Sequence, residues 1–465
     1  MLKKIFKDKA FYGPLLSLAL PIAAQNFITS SLNMVDTIII GQLGATAIAA
    51  VGLANQVFFL FNIILFGVYS GSAIFTAQFW GQKDVANIRR VLGIGLLAGF
   101  SVALLFFIVA CFFPGQVLRF YSNDPAVIAQ GSRYLRIISF SYLFNAVSFC
   151  YAFILRSIGQ VMLPVKVSLI AFGLNSLLNY AFIYGLWGFP RLEVAGSALA
   201  TLIARTVELA IILTVVYRNQ MVPAAKFHEM FDLPKEFVKR FFQTTLPVIG
   251  NESLWSFGMT MFAVVYAHMG TNIIAAINIS STVERIAMVL FFGIAQACAV
   301  MIGNKIGAGQ ETVAFDYAKR FSVLGPLVGV LMGSLVLLAI GPIVTFYHVS
   351  AQVVQTASWV MTIFALTIPI RVFNLLCVVG ILRSGGDTKF SLFLDTAGLW
   401  LIAVPLAFVA GLLWHLPPHL VYLLAASEEF FKLFFGIWRL RSGKWINNLT
   451  HRMKQAVGEP ALAEE

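Results

Sequence analysis

Eleven ionisable residues stand among otherwise apolar neighbours: Asp36, Arg205, Glu208, Glu252, Glu284, Arg285, Arg371, Asp395, Glu428, Glu429 and Lys432. A charge held away from water is costly unless a partner, an ion or a proton neutralises it. Spacing supplies partners for some. Arg205 and Glu208 are three apart, and Glu428 and Lys432 four apart with the acid first, so each pair shares a helix face. Glu284 and Arg285 are adjacent and cannot face each other. Asp36, Glu252 and Asp395 have no basic residue within four positions. A lone carboxylate in a cavity can exchange a proton or a small cation, and its charge state can then be tied to a conformational change. Asn175 and Asn179, four apart, share a face, as do Ser197 and Thr201. Oxygen donors of this kind suit a hard cation such as Na⁺, a proton relay, or simple helix–helix hydrogen bonds. Cys111, Cys150, Cys298 and Cys377 have no metal or disulfide spacing and read as small core residues.

The elements that must carry these residues follow from composition. Of 465 residues 59% are hydrophobic and 11% charged, against roughly 25% charged in soluble domains. Residues 37–82, 91–118, 253–283, 321–370 and 396–427 contain no Asp, Glu, Lys or Arg, and one span needs only about 20 apolar residues. Unbroken blocks, with no period-two alternation, mean helices rather than a barrel. The chain reads as an all-α polytopic membrane protein with twelve transmembrane helices, near 13–40, 46–76, 91–113, 134–155, 162–186, 194–217, 241–267, 273–303, 320–341, 355–381, 391–413 and 419–440. The basic start resembles a signal-peptide n-region, but the apolar stretch behind it is too long and has no convincing cleavage site. It reads as the first span.

With the N-terminus in the cytoplasm, 24 of the 32 Lys and Arg residues fall in inner segments and four in outer ones, as positive-inside orientation requires. Both termini are expected in the cytoplasm, and the protein in the cytoplasmic membrane. The net charge of +12 is then orientation charge beside anionic lipid, with no nucleic acid partner needed.

A shift of 226 residues lays Leu20-Pro21 on Leu246-Pro247, Gly44 on Gly270, Gly67 on Gly293 and Phe120-Tyr121 on Phe346-Tyr347. One residue more aligns Ile154-Leu155-Arg156-Ser157-x-Gly159 with Ile381-Leu382-Arg383-Ser384-x-Gly386. The halves read as a duplication. With six helices each, both enter the membrane in the same direction, so the two lobes are expected to be related by a pseudo-two-fold along the membrane normal. The expected domains are an N-terminal lobe over 1–217, a linker over 218–240, a C-terminal lobe over 241–441 and a polar tail over 442–465.

Val35-Asp36-Thr37, Gly41-x-Leu43-Gly44 and Ala49-Ala50-Val51-Gly52 are similar to the first-helix signature of the multidrug and toxic compound extrusion (MATE) family. Gly81, Leu155-Arg156-Ser157, the stretch from Val194 to Thr201, Asn304-Lys305-Ile306-Gly307-Ala308-Gly309 and the stretch from Leu382 to Thr388 extend the likeness over nearly the whole chain. Leu246-Pro247-Val248, Asn251-Glu252 and Trp255 resemble a bacterial, often Firmicute, subgroup. The resemblance implies two six-helix lobes in a V and export of organic cations in exchange for H⁺ or Na⁺. It also implies a cation site of Asp36, Asn175, Asn179 and Thr201. Many bacterial members carry Asn-x₃-Asp where this chain carries Asn175-x₃-Asn179, so this lobe keeps one carboxylate. Glu252 matches the seventh-helix acid of members whose essential carboxylate lies in the C-terminal lobe.

The function expected is antiport of small organic cations or amphipathic compounds by alternating access of two rocking lobes, with H⁺ or Na⁺ as coupling ion and no cofactor. Asp36, Asn175, Asn179, Thr201 and Glu252 are the coupling residues; Asp395, Glu284 and Trp255 are candidates for the substrate cleft. The protein reads as a monomer in membrane lipid. The alternative is a flippase for a lipid-linked oligosaccharide, which would need a strongly cationic cleft. An enzyme is disfavoured: the six histidines lie in or near loops, and neither HExxH nor GxSxG occurs.

Overall fold

The computed structural model describes residues 8–347 and 349–450, apart from the side chains of residues 32–34 and 37. The basic residues through Lys7, His348 and most of the expected tail lie outside the described residues. Among the described residues there are helices and no strand. The first nine long helices are α1 (Lys9–Gly41), α2 (Ala45–Gly81), α3 (Val85–Phe112), α4 (Pro125–Ser157), α5 (Met162–Tyr184), α6 (Val194–Arg218), α7 (Lys235–Met269), α8 (Thr271–Gly307) and α9 (Glu311–Thr345). Next come α10 (Ala351–Leu382) and α11 (Thr388–Leu413), followed by α12 (Pro418–Ala425) and α13 (Glu428–Ser442). Ten of these contain stretches long and apolar enough to cross a membrane. The other spans read from the sequence correspond to α7, which opens on charged residues, and to α12 with α13, which divide one span in two.

Capping explains where several helices begin. The Asp84 side chain accepts a hydrogen bond from the Asn87 N–H at the start of α3, and Asp124 caps α4 with Pro125 in the first turn. Both starts precede the expected ones at 91 and 134, because hydropathy marks the lipid-soluble part of a helix and not its capped end. Three stretches inside the last spans are π-helical: Leu376–Leu382, Gly398–Ala403 and Val409–Leu413.

Packing groups the described residues into two compact units. One runs Ala24–Phe242; the other joins residues through Ala23 to those from Gln243 onward. The boundary cuts α1 a few residues beyond Pro21, whereas the domain bounds expected from the repeat kept α1 whole. In the second unit Phe11 packs edge-on against Tyr317 and Phe321, each with ring centroids 5.0 Å away. Arg320 also pairs with Asp8 at 2.7 Å, and its guanidinium holds the Asp8 carboxyl below the usual range.

Residues 218–240 group with the first unit. A short helix there, Phe227–Phe231, is held by Arg89–Glu229 and Arg90–Asp232, both 2.7 Å. The Met230 carbonyl comes so close to Gly93 that a Cβ there would overlap it. Small residues let helices approach elsewhere too. Cys150, Cys298 and Cys377 are buried in these contacts, while Cys111 is half-buried.

Candidate functional site

In the Ala24–Phe242 unit the implied cation-site residues meet in one hydrogen-bonded chain. Asn175 and Asn179 lie a turn apart on α5, which continues until Gly185 closes it in the left-handed region at φ 71°. Asn179 Nδ2 donates to Asp36 Oδ1 on α1 at 2.5 Å and to Asn175 Oδ1 at 2.9 Å. Asn175 Nδ2 donates in turn to Thr201 Oγ1 on α6 at 3.0 Å. Three helices are thereby joined through one carboxylate, two amides and a hydroxyl. Asn179 is fully buried, yet its Oδ1 finds no hydrogen-bond partner among the described residues. A buried acceptor left unpaired costs about 1–3 kcal/mol, which marks it as a position a cation or water would occupy.

A cavity of about 30 Å³ adjoins this chain, lined by Thr29, Ser168, Asn175, Thr201, Arg205 and Glu208 among others. A water needs about 10–15 Å³ measured in this way, so a small ion or one or two waters fit. Arg205, itself part of the cavity lining, pairs with Glu208 at 2.6 Å, as their three-residue spacing predicts. Below this, Arg156 Nη2 donates to Gln25 Oε1 at 2.7 Å, and Gln25 Nε2 donates to Ser168 Oγ at 2.9 Å. Gln25 was invisible as a site residue in the sequence. The repeated Leu-Arg-Ser-x-Gly block was the available signal for its partner.

Glu252, Asp395 and Glu284 belong to the other unit. The expectation that Glu252 and Asp395 stand alone is corrected by the structure. Glu252 Oε1 pairs with Arg383 Nη1 at 2.6 Å, and Asp395 Oδ1 with Lys432 Nζ at 2.7 Å. Neither base is a sequence neighbour, so spacing could not reveal them. Between the two pairs lies Asn251: oriented to satisfy both neighbours, its amide accepts from Arg383 Nη2 at 2.7 Å and donates to Asp395 Oδ2 at 3.1 Å. Lys432 also meets Glu428 Oε2 at 3.2 Å, so the four-residue pair forms but is shared with Asp395.

Glu284 sits in a neighbouring cluster. Tyr422 donates to Glu284 Oε1 at 2.6 Å, Arg371 Nη2 lies 3.2 Å from the Tyr422 hydroxyl, and Arg371 Nε is 3.9 Å from Glu429. Asn374 Nδ2 donates to the other Glu429 oxygen at 2.7 Å. Arg285 turns to Thr282 of its own helix at 3.3 Å. Trp255, one turn beyond Glu252 on α7, keeps 36% of its surface exposed. Among the described residues no group of three or more His, Cys, Asp or Glu could hold a metal ion.

A family model described as MatE matches residues 21–181 and 247–409. The chain is 26% identical over 460 residues to the uncharacterised transporter YisQ of Bacillus subtilis, covering 96% of this chain and 99% of that one. It is 27% identical over 410 residues to the multidrug resistance protein NorM of Burkholderia vietnamiensis, covering 85% and 87% of the two chains. Among solved structures, a variant of the Vibrio cholerae MATE transporter VcmN superposes with a TM-score of 0.85 at 18% identity, over 93% of this chain and 98% of that one. A MOP superfamily transporter from Pyrococcus furiosus gives 0.84 at 18% identity, over 93% and 96%. At this identity the structural likeness speaks for the fold.

Proposed function

The chain belongs to the MatE family, a family of transporters rather than enzymes, and on that premise we propose that it is a secondary antiporter. It exports organic cations or amphipathic drugs across the cytoplasmic membrane in exchange for H⁺ or Na⁺. The multidrug resistance name borne by relatives supports the cargo class. The observation that carries the reading is the chain Asp36–Asn179–Asn175–Thr201, in which the buried Asn179 Oδ1 has no partner among the described residues and Asn175 and Thr201 line a cavity.

Its chemistry follows from the direction of the hydrogen bonds. Asn179 commits its amide hydrogens to Asp36 and Asn175 while Asp36 is an anion. A proton on Asp36, or Na⁺ held by its second oxygen and Asn179 Oδ1, withdraws negative charge from the bond that ties α1 to α5. The same event is felt on α6 through Thr201. Because α1 is divided between the two compact units, the charge on Asp36 can bias which of two arrangements of the units is stable, which is the requirement for alternating access. One charge moving across 100 mV supplies about 2.3 kcal/mol, and a tenfold ion gradient about 1.4 kcal/mol. Together these suffice for a modest concentration ratio of cargo.

An anionic cargo, as a flippase would carry, finds less support. The half-buried Arg205 and the buried Arg383 and Lys432 are each met by a carboxylate within 2.7 Å. The test is uptake of a fluorescent organic cation into proteoliposomes under separately imposed pH and Na⁺ gradients. One of the two gradients is expected to drive uptake at least several-fold above the no-gradient control; equal uptake with and without both would refute antiport.

A further inference from the structure

The internal repeat extends to the interior polar residues, and it shows one site built twice with different contents. Moving the Ala24–Phe242 unit's residues forward by 226 or 227 places Gln25 on Asn251, Arg156 on Arg383, Ser168 on Asp395, Ala171 on Gly398, Thr201 on Glu428 and Arg205 on Lys432. The contacts repeat with the residues. Arg156 donates to Gln25, which donates to Ser168. Arg383 donates to Asn251, which donates to Asp395. Each unit thus holds an arginine, an amide and an oxygen acceptor in the same order on equivalent helices.

The contents diverge at the next step. In the first unit the base at this position, Arg205, is drawn to Glu208 three residues on, and the cavity lined by Ser168, Ala171 and Thr201 stays open. In the second unit the residue equivalent to Glu208 is Phe435, so Lys432 has no acid at that spacing, while the two neutral hydroxyls have become the carboxylates of Asp395 and Glu428. Lys432 reaches both, at 2.7 and 3.2 Å, and is 6% exposed. Its stem lies where a Cβ on Gly398 would come within 2.9 Å of Lys432 Cε and 3.5 Å of Glu428 Oε2. The glycine at the place of Ala171 lets the stem pack directly against α11. Glu428 Oε2, though near the ammonium, makes no hydrogen bond of good geometry with any described residue. The backbone is irregular at the same spot: α11 turns π-helical from Gly398, and the last span breaks between Ala425 and Glu428. Such interruptions recur at functional sites.

We propose that Asp395 and Glu428 form a second site for a small monovalent cation, and that the Lys432 ammonium is a tethered cation occupying it. The inference rests on the reading that the equivalent cavity, joined to Asp36 through Asn175 and Asn179, takes the exchangeable ion. The first unit's site is open to solution cations; the second is filled by a side chain and does not turn over. Removing Lys432 should therefore create a site that accepts Na⁺ or methylammonium.

The experiment is thermal denaturation of purified protein, followed by intrinsic fluorescence, in choline, sodium or methylammonium chloride at equal ionic strength. Lys432→Ala is expected to melt below wild type in choline and to regain on the order of 3 °C in sodium or methylammonium. The gain should exceed any shown by wild type and vanish when Asp395→Asn and Glu428→Gln are added. Placing Asp36→Asn in the Lys432→Ala background should leave the gain intact, so loss of ion binding at Asp36 is read separately. Should Lys432→Ala not fold, Lys432→Met with Asp395→Asn keeps the cluster's formal charge and must still respond to sodium through Glu428. Melting of the folded variant that is identical in all three salts overturns the proposal.

Discussion

Arg383 is 2% exposed and lies 2.6 Å from Glu252, so neither charge can be removed without stranding the other. Breaking one side of a buried pair costs about 3–5 kcal/mol, whereas replacing both partners costs less. Glu252→Gln is therefore expected to lower the melting temperature more than Glu252→Gln combined with Arg383→Met; melting curves in which the double variant is the less stable would contradict this. Glu252 is thus a paired acid, unlike Asp36, whose printed hydrogen bond comes from a neutral amide. Asp36 is the contrasting case. Its neighbours Asn175, Asn179 and Thr201 were legible because four-residue spacings put them on helix faces, and the family resemblance linked those faces to Asp36. The partners of Glu252 and Asp395 were not, because 131 and 37 residues separate them from Arg383 and Lys432 and no local period connects them.

At the scale of elements, hydropathy located every span but misplaced several ends. Capped first turns such as Asp84–Asn87 are polar, and the break in the last span falls at Ala426 and Ser427, where no proline or glycine announces it. The segment 218–240 read as a linker because it is basic and carries Pro223 and Pro234; its docking depends on long-range pairs. Glu229 is held below the ordinary carboxylate range by the Lys226 N–H and then by Arg89. Its stabilising contribution is therefore full above the unfolded value of about 4.3 and is lost as pH falls through the lower folded value. Pepsin cleavage within 218–240 is expected to rise as pH falls below about 4.3, while Glu229→Ala already shows the raised cleavage above it. Equal susceptibility of the two proteins throughout would show that this pair does not hold the segment.

For the whole molecule, the repeat was visible as glycines, prolines and one Leu-Arg-Ser-x-Gly block, and it carried more than topology. Arg156 with Gln25 and Arg383 with Asn251 are the same device in two units, one left neutral around its acceptor and the other charged. That asymmetry supports the proposal that the coupling ion exchanges in the unit holding Asp36, which is a claim about flux. The direct measurement is the counter-ion movement itself. Proteoliposomes preloaded with Na⁺ or buffered at an internal pH, then given external organic cation, should release the coupling ion in wild type, and Asp36→Asn should reduce that release about tenfold or more while still binding cargo. Ion release from Asp36→Asn at the wild-type rate would contradict the account.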